Sequence, residues 1–405
     1  MNLPYLISTR IAKNVQGSFS GTINKIAIIS IAVALSSLIL AFLILGGYEE
    51  TIKNKIYSFS GHVIISKYSL SNSVEETYIN VSDSILEVIR ETDGVDYVQS
   101  YAFKYGLLKT EEEVQGVLVK GVDHHFDVPS FGEHMVEGVF PSFPEEGYGT
   151  EVAISRRISK TLKLEVGDEV VIFFVQKPLR FRKLKVTGIY QTGLEEIDEN
   201  VILADINLIR RINNWTENQA GGLEVFIEDP ENQEPAATAL FERVDFDMTV
   251  DMVSDKYIQI FEWLRMLDRN VLILLVIVLF VACFNMVSIL LILILERIQM
   301  IGIFKALGSG DALLRRIFLL NGVQLIFKGL FWGNLIGLSI CVIQYYFRVI
   351  PLDAVNYYVS YVPISMNLWV VLLLNVLAVV IVGITLFIPL TIISRIQPIK
   401  AIRFD

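Results

Sequence analysis

The chain has 405 residues, of which 53% are hydrophobic and only 19% charged, with a formal net charge of −10. That composition excludes an ordinary soluble globular protein. Its two cysteines, Cys283 and Cys341, both fall in apolar runs, which excludes a disulfide framework, a lipobox or a zinc pattern.

In chain order, residues 1–25 come first, with Leu3, Leu6, Ile7 and Ile11 at near-helical spacing beside Arg10 and Lys13. This predicts an amphipathic helix on a membrane surface. Residues 26–48 are free of charge and long enough to span a bilayer. The run exceeds the apolar core of a signal peptide, and no small-residue cleavage pattern follows it. Ala27, Ser30, Ala34, Ser37 and Ala41 place small side chains on one stripe of this span. Such a stripe predicts a close helix–helix contact, within the chain or across a dimer.

Residues 49–268 read as an α+β domain flanked by helical stalks. Strands are expected over residues 61–67, 97–108, 114–121, 169–175, 184–190, 200–204 and 223–228, which are rich in Val, Ile, Phe and Tyr. Helices are expected over 83–91, 151–164, 205–213 and 234–244, with Ser82 and Asp205 as N-caps. Ile154, Ile158 and Leu162 suggest the apolar stripe of the second.

Residues 254–295 contain neither Gly nor Pro, which predicts one unbroken helix, half of it a stalk and residues 269–295 a second span. A loop follows over 296–310. A third span is expected over 311–347, a loop over 348–366, a fourth span over 367–393 and a tail over 394–405. The fold class is therefore a membrane protein with four transmembrane α-helices and a large α+β domain inserted between helices 1 and 2.

Charge orients these elements. Residues 47–268 carry a net charge of −19, and the rest of the chain +9. The positives cluster at Arg10, Lys13 and Lys25, at Arg297, Lys305, Arg315 and Arg316, and at Arg395, Lys400 and Arg403. The positive-inside rule puts these segments, and both termini, in the cytoplasm and the acidic domain outside.

Chemistry-bearing motifs are scarce. There is no phosphate-cradling glycine loop, so no nucleotide site is expected in this chain. His124 and His125 with Asp123, Asp127 and His134 fit no metal-ligand spacing and read as a surface turn. Glu195–Glu196 and Asp198–Glu199 read as a solvated loop. The chain reads as a non-enzymatic subunit with no metal and no nucleic-acid partner.

The most specific motif follows the second span. Arg297, Ile298, Met300, Ile301, Gly302, Ile303, Phe304, Lys305, Ala306 and Leu307 form a short amphipathic segment closed by Gly308. Such a helix suits a groove on a cytoplasmic partner.

The segment IGIFKALG followed by LLRRIFLLNG resembles the loop of the type VII ABC permeases, the family of the macrolide-export and cell-division permeases. The closing ISRIQPIKAIRFD resembles that family's Pro-x-x-Ala-x-Arg signature at Pro398, Ala401 and Arg403. VKGVDHH, EVAISRRISKTLKLEVGDEVVIF and KLKVTGIYQTG are similar to its periplasmic domain. ACFNMVSIL and YYVSYVPISMNLWVVL are most similar to the lipoprotein-releasing (Lol) permeases. Met300 stands where the family often has an acidic residue.

The resemblance implies a permease subunit in the bacterial inner membrane, working as a dimer with an identical or homologous permease. A separate ATPase, holding ATP and Mg, would drive it through the loop helix. It would pass lipoproteins to a periplasmic carrier. Leu43, Gly46, Tyr48, Trp263, Leu264 and Leu267 are expected to line the cargo's entry from the lipid. The hairpin bearing Gln176, Lys177, Pro178, Arg180 and Arg182 falls where Lol permeases carry a carrier-recruiting hook, and is short here. The alternatives are an efflux permease of the macrolide or toxin-export kind and a non-transporting permease that regulates cell-wall hydrolases.

Overall fold

A computed structural model describes residues 19–69, 77–110, 113–124, 126, 131–144, 147–353 and 357–395. The N-terminal amphipathic helix, the Pro398–Ala401–Arg403 signature, His125 and Asp127 lie outside the described residues. The chain divides into two units. One comprises Met1–Glu50, Trp263–Pro351 and Tyr361–Asp405; the other comprises Thr51–Glu262 and Leu352–Ser360.

The first unit is helical. Its elements are α1 (Phe19–Ser60, whose last turns belong to the second unit), α8 (Ile258–Glu296), α9 (Ile298–Ala306), α10 (Asp311–Phe347), α11 (Leu368–Thr385) and α12 (Phe387–Arg395). Among the described residues four helical segments are long and apolar enough to cross a membrane: α1, α8, α10 and the α11–α12 pair.

Glycines on α10 let α1 approach. A Cβ at Gly329 would lie 2.6 Å from Ile31 Cβ, one at Gly333 3.0 Å from the Ala32 carbonyl, and one at Gly337 3.2 Å from Ser36 Cα. In lipid, helices gain little from hiding apolar surface, so close backbone approach supplies the attraction. Of the small-residue stripe on α1, Ala27 is buried, while Ser30, Ala34, Ser37 and Ala41 are half-buried. The buried line on α1 runs instead through Ala27, Ile31, Leu35 and Ile39. Asn334 and Asn375 exchange amide hydrogen bonds of 2.7 and 2.9 Å between α10 and α11.

The second unit holds a mixed sheet. Its strands are β1 (Val63–Lys67), β3 (Val95–Lys109), β4 (Val114–Val122), β5 (Met135–Gly138), β6 (Glu151–Ser155), β7 (Glu169–Phe174), β8 (Arg180–Tyr190), β9 (Val201–Asp205), β11 (Gly222–Ile227) and β12 (Met248–Met252). A separate pair joins β2 (Ile79–Asn80) to β10 (Gln219–Ala220). The order is β12-β1-β11-β3-β4-β9-β6-β8-β5, and β7 bridges β8 back to β3. Strands β3, β4, β9, β6, β8 and β7 thus close on themselves. The pairs β4·β9 and β6·β8 are parallel, and the rest are antiparallel.

Helices α2 (Asp83–Arg90), α3 (Arg156–Leu162), α4 (Glu195–Asn200), α5 (Ile206–Asn213), α6 (Gln233–Phe241) and α7 (Val253–Lys256) complete the unit. Ser82 and Asp205 cap α2 and α5 by accepting from the amides of Ile85 and Asn207.

Three sequence expectations are corrected. Residues 151–164 are not one helix but strand β6 followed by α3, with Ser155 as the N-cap. Val152, Ala153 and Ile154 are buried between β8 and β9, where a strand shielded on both faces loses its alternation. The helix expected over 254–295 breaks at Tyr257, whose φ of −103° and ψ of 36° separate α7 from α8. The acidic run at 195–199 is not a solvated loop but helix α4. Within it, the buried Asp198 carboxylate accepts from the Thr192 amide and hydroxyl and the Gly193 amide.

The end of α1 sits in this unit as a plug. Ile52, Ile56 and Phe59 are buried, and Tyr57 Oη accepts from Gln233 Nε2 at 2.5 Å. Lys120, 0% exposed, donates to the Phe59 carbonyl and to Glu224 Oε1 at 2.7 Å, and Gln99 holds the other Glu224 oxygen at 2.7 Å. Burial lowers the Lys120 pKa, and the adjacent Glu224 opposes that shift. His62 accepts the Ile227 amide at Nδ1, and burial pushes its pKa down to about 4, so it is neutral at pH 7. His134, beside Ser58, is likewise lowered to about 4 by burial, with Lys55 adding repulsion.

Candidate functional site

Helix α9 is nine residues long, starts after Arg297 and stops because Gly308 adopts a φ of +89°, a value that favours glycine. Its two faces differ. Ile301 and Gly302 are buried, and Met300 and Phe304 pack on a small apolar core of Ile294, Leu314, Phe318, Leu390 and Ile393. The opposite face carries Gln299, Ile303, Ala306 and Leu307; Ile303 is 53% exposed and Leu307 78%. A short helix therefore presents an apolar ridge while its other side is anchored.

The anchor is also polar. Lys305 Nζ donates to the Ile393 carbonyl at 2.7 Å and pairs with Asp311 Oδ1 at 2.9 Å. One lysine thus ties α9 to the end of α12 and the start of α10. Arg315 donates to Ser394 Oγ at 3.0 Å, a second tie between α10 and α12. The ten coupling residues and Gly308 named from sequence all lie in or beside this helix. Gly302 is on the buried side of the helix with Ile301. The Lys305–Asp311 pair had no legible sequence signal, because its partners meet only through the turn at Gly308–Gly310.

The six residues expected at the cargo entrance lie on α1 and α8. The Tyr48 and Trp263 rings meet edge to face at 6.4 Å. Leu43 and Leu264 are buried, and the chain after α10 packs directly on α1: the Ser365 amide donates to the Leu43 carbonyl at 3.0 Å. A Cβ at Gly47 would lie 2.6 Å from the Pro363 carbonyl oxygen. These residues form a packed wall in this structure.

The hairpin β7–β8 divides its basic residues. Arg180 donates to the Arg211 and Ile212 carbonyls at 2.9 and 2.6 Å and to Asn214 at 3.1 Å, and so caps the C-terminus of α5. Gln176 also reaches the Ile212 carbonyl, at 3.3 Å. Arg182 lies over the Tyr148 ring at 5.9 Å. Lys177, Pro178 and Leu179 are exposed at the tip, and Phe181, also exposed, pairs with Phe173 across the hairpin, their rings 5.9 Å apart.

Among the described residues no three His, Cys, Asp or Glu side chains group as metal ligands. Asp123 accepts the Ser100 amide at 3.1 Å, a structural use for a residue of the histidine turn.

Comparison with known proteins matches residues 26–242 to the family described as MacB-like periplasmic core domain and residues 272–398 to that described as FtsX-like permease C-terminal. The lipoprotein-releasing system transmembrane protein LolC of Neisseria meningitidis serogroup B is 22% identical over 417 residues, covering 96% of each chain. The corresponding LolE of Haemophilus influenzae is 24% identical over 349 residues, covering 84% of this chain and 82% of that one. The crystal structure of the periplasmic region of MacB from Actinobacillus actinomycetemcomitans covers 51% of this chain and 95% of that one. Its identity is 14% and its TM-score 0.36.

Proposed function

The chain belongs to the family of permeases that join a MacB-like periplasmic core domain to an FtsX-like C-terminal region, and we propose that it is the membrane subunit of an ABC transporter that releases lipoproteins. The naming of LolC and LolE relatives over most of their length supports this cargo class. The observation that carries the mechanism is the two-faced helix α9, anchored on one side and apolar and exposed on the other.

In this reading a separate ATPase, holding ATP and Mg, seats the Ile303–Leu307 ridge in a groove and pushes on α9. Because Lys305 links α9 to α10 and α12, a displacement moves three helix ends together. The termini and α9 face the cytoplasm, and the sheet-bearing unit faces the periplasm. A second permease, identical or homologous, completes the complex. Lipoproteins enter beside Tyr48 and Trp263 once the packed wall opens. The carrier docks on the hairpin through Lys177, Pro178, Leu179 and Phe181, with Arg180 holding the hairpin against α5.

The test is charge on the ridge. Ile303→Glu with Leu307→Glu adds charge only to exposed positions, so insertion and thermal stability remain normal. Stimulated ATP hydrolysis and lipoprotein release in proteoliposomes fall about tenfold or more, the scale of losing an interface anchor. Unchanged stimulation removes α9 as the drive point. Depletion in cells separates the cargo readings: lipoproteins accumulate in the inner membrane if release is right and stay normally sorted if the chain is an efflux permease.

A further inference from the structure

The chain between α10 and α11 ends in an arm, residues 358–367, that lies outside any named helix or strand. Its base is stapled to α10. The buried Gln344 donates from Nε2 to the Val362 carbonyl at 2.9 Å and accepts the Ile350 amide at 3.0 Å. Its end is fixed by Asn367, whose side chain accepts from the Trp369 and Val370 amides and so caps α11.

Between these points the arm meets α1 twice. In the first unit it lies on a pair of glycines. A Cβ at Gly46 would be 3.4 Å from Ser365 Cβ, and one at Gly47 would be 2.6 Å from the Pro363 carbonyl oxygen. The Ser365 amide donates to the Leu43 carbonyl at 3.0 Å. A backbone approaches this closely only where side chains are missing. In the second unit Lys55 Nζ, further along α1, donates to the Tyr358 carbonyl at 2.8 Å. Gly193 floors this contact: a Cβ there would lie 2.9 Å from Lys55 Nζ and 3.0 Å from the Tyr358 oxygen. The Asp198 carboxylate holds the Gly193 amide at 2.8 Å. Tyr358 adopts a φ of +59°, a conformation costly for a residue other than glycine, and release would recover that cost. Its neighbour Val359 is 3% exposed.

Leu43, Gly46 and Tyr48 belong to the wall expected at the cargo entrance, and the arm covers it at Leu43, Gly46 and Gly47. For cargo to enter, some element must move. Helix α1 is unbroken from Phe19 to Ser60, and its last turns are fixed by buried side chains and by Lys120. The arm has no ladder or helix to lose, so it opens for the cost of a few hydrogen bonds.

We propose that residues 358–367 form a strap over the cargo entrance, held shut in this structure by Lys55 and opened during the transport cycle. The cargo part rests on the lipoprotein-release reading. Lys55 acts as a positioning residue, through the Tyr358 carbonyl.

The test uses the full-length protein in membranes with its ATPase, carrying Cys283→Ala and Cys341→Ala. Val359→Cys reports the strap through its rate of labelling by a membrane-impermeant maleimide. At rest labelling is slow. Lys55→Met speeds it about tenfold, the scale of losing a hydrogen bond to a charged group. Lys55→Arg, which still donates, stays near the resting rate, and MgATP speeds labelling of the Lys55 protein. An unchanged rate in Lys55→Met overturns Lys55 as the catch, and a rate indifferent to MgATP overturns the opening. Gly46→Cys with Ser365→Cys then locks the strap, since their Cβ separation suits a disulfide. Lipoprotein release is lost on oxidation and recovers with dithiothreitol; equal release by the oxidised and reduced forms overturns the strap as a lid. If the parent protein releases no lipoprotein, the cargo reading fails, and labelling with and without MgATP still decides whether the strap moves.

Discussion

Helix α1 is held in two different ways along its length. Between Ile28 and Ile39 it meets α10 through glycines, with Gly329, Gly333 and Gly337 leaving no room for a side chain. Over its last turns it is held by buried aliphatic residues together with Lys120, Glu224 and Gln233. The difference follows from the surroundings. Between apolar spans in lipid, burial contributes little and fit contributes most. In the sheet-bearing unit, water exclusion supplies the attraction, and buried polar groups must be fully partnered.

The largest expected effect is at the polar end. Glu224→Leu leaves the Lys120 ammonium buried without its carboxylate and lowers stability by about 3–5 kcal/mol. Adding Lys120→Met removes the uncompensated charge and restores most of the loss. Thermal unfolding of the purified full-length protein reads both variants. A double variant no more stable than Glu224→Leu alone contradicts the view of Lys120 and Glu224 as one unit.

An intermediate effect is expected at the apolar contact. Gly333→Leu forces α1 and α10 apart and costs about 1–3 kcal/mol, the range for overpacking. Gly383→Leu, where a Cβ meets nothing within 4 Å, serves as the control and changes little. Equal losses in the two variants, measured by unfolding in mixed detergent, break the distinction between fitted and free glycines.

The smallest effect is the polar pair inside the apolar region. Asn334→Leu strands Asn375, with an expected cost of about 0.6 kcal/mol, the usual worth of such bonds between spans. A loss comparable to that at Glu224 implies that this region behaves like the sheet-bearing unit, and the comparison fails.

Much of the architecture was legible because length and periodicity are local properties. Charge-free runs of span length marked the four membrane helices, and most long strands announced themselves through β-branched and aromatic residues. The Gly329-x-x-x-Gly333-x-x-x-Gly337 pattern on α10 is equally local, and it faces α1 at Ile31, Ala32, Leu35 and Ser36. The helix expected over 151–164 failed for the opposite reason. Ile154, Ile158 and Leu162 fit a helical stripe, and only pairing with β8 and β9 turned the first of them into a strand residue.

The sequence by itself determined where the chain crosses apolar surroundings, where the sheet-bearing unit is inserted and which short segment follows the second span. These depend on composition within a window of about twenty residues. The tertiary structure alone decided which side of that segment is free: Gly302 inward, Ile303 and Leu307 outward. It also decided that Arg180 is committed to capping α5 and that Lys120 joins Glu224 across 104 positions. Such pairings depend on which backbone passes within hydrogen-bond reach, a property of the folded path that no local pattern of residues encodes.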